Sequence, residues 1–298
     1  MPHDAFHVGS DAKAMLATLI AQEIERGRLR WDTRVEEVLP QVMVTARDEY
    51  RGVTVADLLT HRAGLVQLLE IEDLNAVPAL RGGIRAQRQQ FATWALAQPP
   101  VAAPGTSAHY SNAGYVVAAA MLEAVAGDSY ESLLVRRLFL PLRMYARFGW
   151  PAETRNPAPW GHATVEGRLV PIDPREPGSR IPAWANPAGN LSMDTRSFAR
   201  FVQAHLRGLR GDAGILQPAT FSELHTVRGE LAAGWAVVDL GDRQISLHEG
   251  GSGIFYALMI IDASHDVAAL VLANADNDRV REAALTLALE IMAAKARP

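Results

Sequence analysis

Gly9-Ser10-Asp11-Ala12-Lys13, followed by Met15, Leu16, Leu19, Ile20 and Ile24, is the stretch whose reading decides the fold of this chain. The apolar residues recur at helical spacing and Gly27 supplies a stop, which predicts a helix of about four turns with Ser10 at its N-terminus. A serine and a lysine three residues apart on a helix share a face. That is the geometry of a hydroxyl nucleophile beside its proton acceptor. Of 29 basic residues only Lys13 and Lys295 are lysines. A guanidinium keeps its proton at physiological pH, whereas an ammonium can be driven toward neutrality, so lysine at position 13 points to a group that must deprotonate.

Working outward, Thr54 with Asp57 three residues on predicts a second helix ending near Gly64. A third is expected over about 113–125, stopping at Gly127. Between about 140 and 190 the pattern breaks into a Pro-, Gly- and Trp-rich stretch that includes Pro151, Pro157, Pro171, Pro177 and Pro187, which predicts long ordered loops. A helix bearing Phe198, Phe201, Val202 and Leu206 follows Asp194. The period then changes to that of strands, expected over 234–240, 244–248, 254–262 and 267–274, with Gly241-Asp242 as a turn and a final helix from about Val280. This order predicts an α+β protein, an antiparallel sheet flanked by helices plus a mainly helical region. We expect one domain over 1–298, with 30–205 mainly helical and looped, and 1–29 joining 206–298 in a sheet-and-helix region.

The 298 residues are 49% hydrophobic and 21% charged, enough to bury a sizeable core. A net charge of -4 with mixed signs leaves no electrostatic footprint for nucleic acid or an anionic membrane. No apolar run approaches the roughly 20 residues of a membrane span, and the first residues lack the pattern of a signal peptide. The absence of cysteine excludes disulfides, thiolate metal sites and a cysteine nucleophile, but leaves the compartment open.

Two further segments carry chemistry. His109-Tyr110-Ser111-Asn112 opens the third helix, where a phenol and an amide two residues apart can face one cleft; the alternative is that Ser111 or Asn112 only caps the helix and Tyr110 packs. Leu247-His248-Glu249-Gly250-Gly251-Ser252-Gly253 ends one strand and leads to the next. Alternation puts His248 and Gly250 on one face and Glu249 on the other, with glycines that let a substrate approach the backbone; the alternative is a Gly-rich hairpin with a surface histidine.

Together these segments resemble the serine hydrolases of the class C β-lactamase and penicillin-binding-protein superfamily. Their Ser-x-x-Lys is matched by Ser10 and Lys13, their Tyr-x-Asn by Tyr110 and Asn112, and their Lys/His-x-Gly by His248 and Gly250. Leu58-Leu59-Thr60-His61-Arg62-Ala63-Gly64-Leu65 also looks familial. The resemblance implies a β-lactamase/transpeptidase-like fold and acyl transfer through a serine ester. Ser10 would attack a carbonyl carbon, with Lys13 and Tyr110 each shifted toward neutral pH to move its proton. Backbone N–H groups of Ser10 and Gly251 would form the oxyanion hole, each donor worth roughly 3 to 4 kcal/mol in the transition state. Asn112 would hold Lys13 or a substrate carbonyl. The resemblance implies a small-molecule substrate and no metal or organic cofactor.

Histidine at 248, where many relatives carry lysine, predicts esters or amides without an obligatory carboxylate, an esterase foremost. The alternatives are a β-lactamase or D-amino-acid peptidase of the same superfamily, or a non-catalytic ligand-binding relative. Relatives also place a helix and two strands before the nucleophile. Here they would be missing, which predicts an open sheet edge and association with another copy or chain.

Overall fold

The four expected strands form one antiparallel sheet, β6 (Ala236–Asp239), β7 (Gln244–Gly251), β8 (Tyr256–Asp262) and β9 (Val267–Ala273), in the order β6-β7-β8-β9. The computed structural model describes residues 3–70, 72–153, 158–176, 180–240 and 243–295. The turn at Gly241-Asp242, and Pro157 and Pro177 of the loop stretch, lie outside the described residues.

The helices are α1 (Ala12–Glu25), α2 (Val35–Val38), α3 (Val55–Leu59), α4 (Ile84–Ala97), α5 (Asn112–Ala126), α6 (Tyr130–Leu134), α7 (Asn186–Gly189), α8 (Thr195–Leu209), α9 (Pro218–Leu224) and α10 (Asp278–Lys295). β8 is buried along its whole length because the sheet is covered on both faces. Tyr256, Leu258 and Ile260 pack with Ala284, Ala288 and Met292 of α10, while Ala257, Met259 and Ile261 join the main core. A strand covered twice reads as a continuous apolar run rather than an alternating one. β9 pairs with β8 and, among the described residues, with no second strand. Outward on α10, Leu285, Leu287 and Leu289 are exposed.

α1 is buried from Ala12 through Glu23, polar residues included. A helix buried on all sides is the centre of a fold rather than its surface, so Ser10 and Lys13 sit at the N-terminal end of the central element. Caps fix the helices that approach it. Thr54 and Asp57 form the expected reciprocal box, Thr54 N–H to Asp57 at 2.9 Å and Asp57 N–H to Thr54 at 3.2 Å. Ser111 caps α5 by accepting from the Gly114 N–H at 3.1 Å, and Gly127 closes it at φ 76°.

Two expectations are corrected. α3 stops at Leu59 rather than near Gly64, because His61 turns to φ 60° and leads the chain out of the helix. The stretch from 140 to 190 is not all loop. It contains β2 (Ala146–Phe148) and the hairpin β3 (His162–Val165) with β4 (Arg168–Pro171). β2 and β1 (Ala5–His7) flank β5 (Leu191–Asp194) in a second sheet, ordered β1-β5-β2.

Candidate active site

Backbone contact between two distant segments creates the site. Gly9 has φ +49°, and a Cβ there would lie 2.8 Å from the Gly251 carbonyl oxygen; a Cβ on Gly250 would lie 1.9 Å from the Val8 carbonyl oxygen. Only glycines allow that approach. The contact seats the end of β7 against the turn before α1, and so brings His248, Gly250 and Gly251 beside Ser10.

Lys13 is fully buried, and its three ammonium hydrogens find three acceptors: Ser10 Oγ at 2.9 Å, Asn112 Oδ1 at 2.7 Å and the Ala188 carbonyl. Asn112 is held in turn by donating to the Leu68 carbonyl at 2.6 Å. Burial disfavours the charged amine and lowers its pKa to about 7, with Asp11 opposing the shift. Lys13 thus stands close to neutrality while touching the Ser10 hydroxyl. The structure brings Ser10, Lys13 and Asn112 together by direct hydrogen bonds.

Tyr110 lines the cleft beside Ser10, which opposes the rise of its pKa, and the Lys13 Nζ lies 4.9 Å from the centroid of its ring. The expectation that both proton carriers shift toward neutral pH is corrected here. Burial raises the Tyr110 pKa, so it stays a neutral phenol and only Lys13 moves downward. Sequence reading missed His61, whose ring stacks on Tyr110 at 4.3 Å and whose Nδ1 accepts from the Ser111 N–H at 2.9 Å. The signal was present in the Leu58 to Leu65 stretch, but spacing could not assign it a task.

His248 is almost fully buried, and its Nδ1 lies 3.1 Å from Asp11 Oδ1. Desolvation first, then the Lys13 charge, lowers its pKa to about 3, so the imidazole is neutral at physiological pH. Asp11 makes no helix cap; it is wholly buried, and burial and Glu249 raise its pKa while Lys13 opposes them.

A cleft of about 930 Å³ opens over Ser10, lined by Tyr110, Asn112, Gly251, Trp150 and Trp184 among others. Its wall also carries Glu70, Glu72, Glu249, Asp276 and Asp278. Among the described lining residues Arg281 is the one cation, and its Nε donates to Asp276 at 2.8 Å. The described residues contain no cluster of His, Asp and Glu able to hold a metal ion, and no helix long and apolar enough to cross a membrane.

The family model described as Beta-lactamase matches residues 2–293. A penicillin-binding protein 4 from Amycolatopsis lactamdurans is 29% identical over 283 residues, covering 89% of this chain and 71% of that protein. A β-lactamase from Escherichia coli K12 is 26% identical over 208 residues, covering 68% of this chain but 48% of the relative, so the match spans about half of that protein. Among solved structures, a class C β-lactamase superposes with a TM-score of 0.78 at 19% identity, covering 98% of this chain and 82% of the other.

Proposed function

This chain belongs to the Beta-lactamase family of serine hydrolases, and we propose that it hydrolyses small esters or amides, esters foremost, through an acyl ester on Ser10. The observation that carries the reading is the buried Lys13 amine, near neutrality and 2.9 Å from the Ser10 hydroxyl. In its neutral form Lys13 takes the Ser10 proton as Oγ attacks the carbonyl carbon. Tyr110, a neutral phenol beside Ser10, gives its proton to the leaving group as the proton held on Lys13 is relayed back to the phenol, so both groups return to their neutral forms. The backbone N–H groups of Ser10 and Gly251 receive the oxyanion, where their fixed dipoles stabilise developing charge. A water then repeats the sequence on the acyl ester, with Lys13 again the acceptor. We take 1–298 as one catalytic unit, its sheet-and-helix part built from 1–29 and 206–298.

The charge of the cleft favours esters over β-lactams. A penicillin or cephalosporin carboxylate would meet Glu70, Glu72, Glu249 and Asp278, with Arg281 already paired and His248 neutral. An uncharged ester meets no such penalty. The test is kcat/KM for a p-nitrophenyl ester against a chromogenic cephalosporin in one buffer. The ester should win by tenfold or more; a tenfold cephalosporin preference would make the protein a β-lactamase.

A further inference from the structure

Asp11 directly follows the nucleophile, yet the reaction above gives it no task. Its carboxyl group is fully buried and bonds one neighbour, the His248 Nδ1, at 3.1 Å. Oδ2 is buried with no hydrogen-bond partner and rests against Gly250, where an added Cβ would lie 3.1 Å from it. Asp11 therefore touches both His248 and Gly250 of the third motif.

We infer that Asp11 is held as a neutral acid that donates its proton to His248 Nδ1, making it a positioning residue that fixes His248 as the Nε2–H tautomer. An ionised carboxylate with one oxygen unpartnered in a dry interior is strongly disfavoured, whereas a neutral acid leaves only a carbonyl-like oxygen bare. The charged groups that face the pair are Lys13 on α1 and Glu249 on β7; His61 and Tyr110 line the same cavity as the imidazole. Glu249 disfavours a second negative charge at Asp11, and Lys13 disfavours a positive one at His248. A pair in which Asp11 keeps its carboxyl proton and the imidazole keeps only its Nε2 proton carries no net charge and satisfies both.

The consequence is for substrate recognition, and it rests on the ester reading above. His248 also lines a cavity of about 220 Å³ that shares Tyr110 and Glu249 with the Ser10 cleft, together with His61, Tyr115 and Trp235. With Nδ1 engaged, Nε2 is the nitrogen left to face it. As an uncharged donor it suits a neutral oxygen acceptor, such as a carbonyl, ester or ether, and offers no ion pair to a carboxylate.

The test labels the intact protein with 15N-histidine and assigns the His248 signals by their loss in His248→Gln. In the wild type at pH 7, Nε2 should carry the proton and Nδ1 should be pyridine-like. Asp11→Asn, whose amide donates as the neutral acid does, should keep that tautomer, and Asp11→Ala should lose the preference. An infrared band of a protonated buried carboxyl should be present in the wild type and absent from Asp11→Asn. In kcat/KM for p-nitrophenyl butyrate, Asp11→Ala should fall at least tenfold further than Asp11→Asn. A proton on Nδ1 in the wild type, or a tautomer reversed by Asp11→Asn, would show an anionic Asp11 and overturn the inference. Equal losses in the two variants would remove its positioning role. The nuclear magnetic resonance readout needs no turnover, so its failure is separate from a failure of Ser10 to acylate.

Discussion

Lys13 pairs with a hydroxyl, an amide oxygen and a carbonyl rather than with a carboxylate. That explains why desolvation dominates its titration and why the amine can serve as a base. A base acts in its deprotonated form, so kcat/KM for an ester should rise with pH through about 7 as Lys13 loses its proton. Lys13→Arg keeps the charge and removes the acceptor, and should lose roughly 100-fold or more, about as much as Lys13→Ala. An arginine variant with most of the wild-type rate would make Lys13 an electrostatic anchor. At this scale the sequence was informative where one residue type carries the chemistry. The scarcity of lysine singled out position 13 and its spacing pointed to Ser10, while Tyr110 was picked by the family resemblance, its spacing alone leaving a packing role open. Asp11 and His61 stayed silent because their partners, His248 and Tyr110, lie 237 and 49 positions away in the chain.

The elements around the site are tied by a buried ion network. Arg88 of α4 is fully buried, pairs with Glu123 of α5 and Glu131 of α6, and donates to the carbonyls of Trp184 at 3.1 Å and Ala183 at 3.0 Å. Those carbonyls belong to the turn that leads into α7, whose Ala188 carbonyl accepts from Lys13. Removing Arg88 strands a buried Glu123, and breaking such a pair costs about 3 to 5 kcal/mol. Arg88→Ala should therefore lower Tm by roughly 6 °C or more and reduce ester turnover, since the α7 wall loses its support. An unchanged Tm in a thermal scan would mean the network contributes little. The sheet and its long helices were legible because β6 to β9 and α1, α5 and α8 carry their own periodicity and caps. β1 and β2, each three residues long, were not. A strand that short has no period to read, and its identity comes from pairing with β5.

At the scale of the whole fold, five histidines among the described residues are buried as neutral rings: His7, His61, His205, His225 and His248. Desolvation lowers His7 to about 4, His225 and His248 to about 3, and His61 and His205 well below the ordinary value. Below about pH 6.5 the unfolded chain binds protons that the folded chain refuses, so stability falls as the pH falls toward 4, by roughly 1.4 kcal/mol per unit for each ring. Tm should drop by about 10 °C or more between pH 7 and 5.5, and a flat Tm over that interval would show the rings to be accessible when folded. The same burial that makes the fold acid-sensitive keeps Lys13 dry, and the central claim is that this dry amine activates Ser10. Rapid-quench intact mass measurement after mixing with p-nitrophenyl butyrate tests that claim most directly. A butyryl adduct that maps to Ser10 and is absent from Ser10→Ala is the predicted result; turnover that persists in Ser10→Ala would contradict it.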